Sequence, residues 1–262
     1  MARKKDKKAK RKGAAPSYEA IPLVDLEAQV GRLETERDYS AMLDAAKALH
    51  KRRPNAASSR SLAEAYWGRV VQLRDKGLHR EAAALLPFFE RFRGGAPNPG
   101  RRRARVHLLL RAGQVDAAVK DLRGWDGAPE DAEALRADLL VLYPESARLA
   151  DPEGRLVAGA QAVQAAFAAY DREDDAAANE ALKPLGLQSP FRNWRLFLRG
   201  AIAFHRGDDE AAERSLRGVA ADTAAGDLAA TFLGALASQA SDPLAPVAPG
   251  SASSRWERGR LP

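Results

Sequence analysis

The chain has 262 residues, 45% of them hydrophobic and 29% charged, with a net charge of +7 and no cysteine. This composition suits a globular chain and excludes disulfides, thiolate metal sites and a cysteine nucleophile. Ala, Leu, Arg and Glu outweigh the strand-forming residues, which predicts an all-helical fold.

The charge is not evenly spread. Residues 1–13 carry Arg3, Lys4, Lys5, Lys7, Lys8, Lys10, Arg11 and Lys12 against Asp6, a sum of +7, and the other 249 residues balance at 34 basic and 34 acidic groups. A like-charged block repels itself and is expected to stay disordered until it meets an anion. Two roles fit it: a solubilising end, or sequence-indifferent, salt-dependent attachment to nucleic acid or another polyanion. It lacks the apolar stretch of a secretory leader. No apolar run reaches the ~18 residues that suggest a membrane span, so the expected location is cytoplasmic.

Residues 14–22 read as a linker closed by Pro16 and Pro22. Leu23, Leu26, Val30 and Leu33 then form one helical stripe. A second helix is expected over Asp38–Lys51, ended by Pro54, and a third over Ser58–Lys76, stopped at Gly77. A fourth starts after His79, kinks at Pro87 and continues through Phe88, Phe89 and Phe92. Gly94 to Gly100 is a loop and a candidate joint. Helices follow over Arg101–Ala112, Val115–Leu122 and Asp131–Leu142, with a turn at Trp125-Asp126-Gly127 and a break between Pro144 and Pro152. Arg155–Tyr170 pairs with Asp174–Leu185, and Phe191–Phe204 with Glu210–Ala221. Leu228–Gln239 closes the helical region, and residues 240–262, rich in Pro, Ala and Ser, read as a disordered tail.

One echo organises this series. Arg172-Glu-Asp-Asp-Ala-Ala-Ala-Asn-Glu-Ala-Leu182 returns 34 residues later as Arg206-Gly-Asp-Asp-Glu-Ala-Ala-Glu-Arg-Ser-Leu216, and Gly200 returns as Gly234. A fixed period of this size marks a repeat array. Gly77, Ala82 and Leu86 fit an earlier unit, as do Gly113, Ala118 and Leu122. In the later units Ala166, Glu173, Ala178 and Leu182 correspond to Gly200, Gly207, Ala212 and Leu216. On these residues the chain resembles the tetratricopeptide repeat family. The resemblance implies an α-solenoid of stacked antiparallel helix pairs over 23–239, flanked by the basic arm and linker (1–22) and the tail (240–262). An irregular helical bundle is the alternative. The usual aromatic positions of the family's first helix are mostly unmatched, and the stretch from Trp125 to Ala150 fits poorly.

No catalytic constellation stands out. His50, His79, His107 and His205 lack zinc-helix spacing, and no phosphate-binding glycine loop is present. The pairs Asp174-Asp175 and Asp208-Asp209 resemble carboxylate dyads. Their return at 34 residues makes them helix-starting acids instead. The expectation is a non-enzymatic protein without cofactor or metal. Through the resemblance, the inner faces of the first helices would form a groove carrying Trp67, Arg74, Arg103, His107, Arg111, Phe167, Tyr170, Trp194, Phe197 and His205. Aromatic and Arg side chains suit a protein or peptide partner with acidic groups. The expected function is a scaffold or adaptor, and the alternative is a nucleic-acid- or ribosome-associated protein tethered by the basic arm.

Overall fold

The computed structural model describes residues 18–95 and 98–241, so the basic arm and all of the tail beyond Ser241 lie outside the described residues. Among the described residues there are thirteen α-helices and no strand. None of these helices is long and apolar enough to cross a membrane. The residues read as one repeat domain form two compact units, which divide between residues 96 and 97, inside the glycine- and proline-rich loop.

The first unit holds α1 (Leu23–Thr35), α2 (Tyr39–Arg52), α3 (Ala56–Asp75) and α4 (His79–Phe92), each packed on the next. Its core is built on Leu26, Val30, Met42, Ala46, Leu49, Leu62, Tyr66 and Phe89, with Ser58 as a buried polar side chain. Arg52 draws the segment before α1 onto this core by donating to the carbonyls of Tyr18 and Ile21. The α4 helix continues past Pro87, where a break was a risk. Gly68 permits the approach of α2, because a Cβ there would lie 2.0 Å from the Tyr39 ring.

The second unit holds α5 (Pro99–Arg111), α6 (Val115–Arg123), α7 (Pro129–Leu142), the four-residue α8 (Ala147–Ala150), α9 (Val157–Asp171), α10 (Asp175–Ala181), α11 (Arg192–Arg206), α12 (Asp209–Arg217) and α13 (Ala224–Ser241). The odd-numbered helices pack in series, α5 on α7, α7 on α9, α9 on α11 and α11 on α13. The poorly matching stretch has a physical cause. After α7 a 3₁₀ turn over Pro144–Ser146 and the short α8 stand where a full second helix would be. The last helix starts four residues before the expected Leu228 and includes Ala240 and Ser241, which the sequence placed in the tail.

One turn recurs five times. Arg37, Gly77, Gly113, Glu173 and Gly207 all have positive φ, between 56° and 76°. In each turn the next residue's N–H reaches a carbonyl five residues back: Asp38 to Leu33, Leu78 to Leu73, Gln114 to Leu109, Asp174 to Ala169 and Asp208 to Ala203, at 2.9–3.0 Å. The positive-φ residue's own N–H bonds three residues back in every case. This is the Schellman arrangement, which satisfies the last carbonyls of a helix. Asp38, Asp174 and Asp208 then cap the following helix, accepting from the N–H of Ala41, Ala177 and Ala211. The first aspartate of each apparent dyad is therefore a helix cap, and the second stands in the first turn of that helix. Five positions after each positive-φ residue stand Met42, Ala82, Ala118, Ala178 and Ala212, and nine after stand Ala46, Leu86, Leu122, Leu182 and Leu216, all buried. Seven before it the buried residues are Val30, Val70, Val106, Ala166 and Gly200. Small or slim side chains at that register let the two helices of a pair close. At Gly200 a Cβ would come within 2.6 Å of Leu216.

Candidate functional site

A buried polar cluster of the second unit is built around Asp138. The α7 stripe Ala132, Leu135, Leu139 is apolar and buried, and Asp138 lies on the same face, only 4% exposed. A carboxylate taken out of water needs donors. Trp194 of α11, itself 1% exposed, donates from Nε1 to Asp138 Oδ1 at 2.8 Å. The N–H of Ala224, the first residue of α13, donates to Oδ2 at 3.1 Å. That N–H has no partner within its own helix, so a side chain from a distant helix serves the positive end of α13. Burial pushes the Asp138 carboxyl up to about 6, against the lowering effects of both hydrogen bonds and of Arg103. Nearby Asp227 adds to the rise.

The start of α13 is fixed by further contacts. Thr223 donates to the Ala220 carbonyl at 2.7 Å and accepts from Gly226 N–H at 3.1 Å. Asn193 of α11 accepts from Ala220 N–H. Gly226 is required by close approach, since a Cβ there would lie 2.2 Å from the Ala220 oxygen.

Three expected groove residues, Arg103, His107 and Arg111, follow at steps of four along α5 and so share a face. The chain itself engages all three. Arg103 donates to Asp131 of α7 and its Nε lies 2.7 Å from Asp222. Arg111 Nε is 3.1 Å from Asp227, and His107 Nε2 is 3.5 Å from the same carboxylate. Acidic groups thus do meet this basic face, and they come from Asp131 of α7 and from Asp222 and Asp227. The rest of the Arg101 run is also used internally. Arg102 lies over the Trp125 ring at 5.2 Å and donates to Asp126 and to the carbonyls of Asp121 and Gly124, while Arg105 pairs with Asp121 at 3.0 Å.

The aromatic half of the expected groove forms a linked set. Phe167 of α9 meets Trp194 edge-on at 5.8 Å and Phe197 at 6.2 Å, and Tyr170 meets His205 at 5.7 Å. Phe232 of α13 joins Phe197, Phe204 and His205, with centroids 5.2–6.1 Å apart. Trp194 and Phe197 are buried, whereas Phe167, Tyr170 and His205 are partly open. In the first unit Trp67 is half-buried against Phe89 at 5.0 Å, and Arg74 pairs with Asp75 at 2.7 Å.

Sequence reasoning missed Asp138, Asp222, Asp227 and Phe232 as partners of this face. The signal for Asp138 was present, as a carboxylate three residues after Leu135 on an otherwise apolar stripe. Chemically the arrangement closes this cluster with ion pairs, edge-on and tilted rings and one capped helix start. Compared with models of known protein families, with curated proteins and with solved structures, the chain finds no match.

Proposed function

We propose that the chain is a non-catalytic scaffold of the tetratricopeptide type, which binds a protein or peptide partner through its first-helix faces. The observation that carries this reading is the five-fold recurrence of one Schellman turn with the same buried positions seven before, five after and nine after it. Paired helices of that kind cannot bury their apolar faces alone and are stable as stacks, whose inner faces serve partners. The positions of the expected groove divide by exposure. Arg103, His107, Arg111, Trp194 and Phe197 serve the fold. Trp67 with Arg74 in the first unit, and Phe167, Tyr170 and His205 in the second, keep surface for a partner. Rigid aromatic anchors beside cationic or neutral donors suit an acidic peptide.

The test is affinity capture with the full chain and two variants, Trp67→Ala/Arg74→Ala and Tyr170→Ala/His205→Ala. At least one should lose the same saturable partner at unchanged helical circular dichroism. A partner set unchanged from that of the unmodified chain in both variants overturns the reading. The charge segregation supports a second reading, a polyanion tether formed by residues 1–13. Binding to a single-stranded RNA should then weaken with salt by roughly 0.7 log units per log unit of salt for each phosphate neutralised. Neutralising the eight cations should flatten that slope, and equal binding by both chains sinks it.

A further inference from the structure

We propose that a cleft between α10 and α11 is a binding site for a phosphate monoester or similar tetrahedral oxyanion. The cleft measures about 210 Å³ and is lined by Asn179, Leu182, Lys183, Arg195 and Arg199. Three of its five lining residues are cationic and none is acidic. Arg192, Arg195 and Arg199 follow at steps of three and four along α11, so they share one face. Like charges so placed repel, and Arg192 stands in the first turn, the positive end of the helix dipole.

Three neighbouring arginines are answered by carboxylates. On α11 itself Arg206 pairs with Asp175 at 2.7 Å, and on α12 Arg214 and Arg217 pair with Glu210 and Glu213. Among the described residues no carboxylate pairs with Arg192, Arg195 or Arg199. Arg195 donates to the Leu185 carbonyl, which anchors it at the rim. Lys183 pairs with Glu180, but both are well exposed and such a pair exchanges readily with an anion. Asn179 donates to the Asp175 carbonyl at 2.7 Å, which fixes the amide beside the cations.

The size admits the ligand. A water's share of liquid volume is roughly 30 Å³. The cleft thus has room for an oxyanion with part of its hydration. Guanidinium groups bind phosphate through parallel N–H donors, and Arg199, exposed and without a carboxylate, is the principal donor. The proposal does not rest on the scaffold reading: none of the five lining residues is one of the groove positions.

The experiment is an NMR titration of the full chain at constant ionic strength, read on the Arg199 and Arg195 Nε–H and the Asn179 side-chain amide. The probes are inorganic phosphate, a phosphoserine peptide and its serine twin. Saturable shifts with phosphate are expected, and Arg199→Gln should weaken binding at least tenfold. Neutralising Lys7 and Lys8 of the arm should leave the shifts unchanged. Tighter binding of the phosphopeptide than of phosphate identifies the source as a modified partner side chain, and equal binding identifies a free ion. The proposal is overturned if these resonances do not move, if Arg199→Gln has no effect, or if only an RNA oligonucleotide moves them.

Discussion

The two units use the same turn but finish their interiors differently. The first unit closes on aliphatic and aromatic side chains, with Leu26, Met42 and Ala46 at its centre. The second places a carboxylate, a tryptophan N–H and a helix amide in its interior, with Arg103, His107, Asp222 and Asp227 in the same cluster. Apolar closure is forgiving, because any side chain of suitable volume supports it. Polar closure demands that each donor find its acceptor, since one left unmatched in the interior costs its full desolvation. The second unit should therefore be the more selective about its own sequence and the more responsive to pH.

The largest effect should follow removal of Trp194. Trp194→Ala opens a cavity worth about 3–5 kcal/mol and also deprives Asp138 of a donor. Leu26→Ala in the first unit should cost about 2–5 kcal/mol, from cavity and transfer alone. Urea unfolding followed by circular dichroism gives both values. The comparison breaks if Trp194→Phe, which keeps a ring and loses the N–H, proves harmless.

Next in size is a pH effect. The folded Asp138 carboxyl holds its proton up to about 6, against an ordinary value of 3.8. The group therefore adds stability that is complete below the lower value and is lost as pH rises through the upper one. A shift of that size corresponds to about 3 kcal/mol. In Asp138→Asn this contribution to the slope between pH 4 and 6 should vanish, as measured by denaturation at stepped pH. An unchanged slope would mean that the carboxyl is not desolvated as described.

The smallest effect concerns the turns. Glu173 holds a left-handed backbone where the next turn has Gly207. Glu173→Gly should stabilise by about 1 kcal/mol, and Gly207→Ala should destabilise by a similar amount. Thermal unfolding distinguishes the two signs. Equal responses would show that the turns are not equivalent.

Much of this was legible because turn chemistry is local. Gly77, Gly113 and Gly207 announce their turns, and Ala82, Ala118 and Ala212 announce the helix crossings. Arg37 adopts the same conformation without a glycine, so no residue type announced that turn. The α8 segment was invisible because four residues carry no period. The partners of the α5 cations were hidden for another reason. A cation on a first helix looks the same in sequence whether it awaits a partner or meets an aspartate of its own chain, and Asp227 lies 116 residues beyond Arg111. Only the folded geometry brings those two together.

The wiring of Asp138 also sets an order of assembly during synthesis. Its two donors lie 56 and 86 residues further along the chain. At 5–20 residues per second a ribosome needs roughly 4–17 s to deliver the second of them. Through that interval α7 must keep its carboxylate facing water or hold it protonated. The first unit has no such wait, because its apolar core is complete once α4 has emerged. The late arrival of α13 thus acts as the fastening step of the second unit, and a nascent chain stalled before Ala224 would present the α7 and α11 faces unfastened.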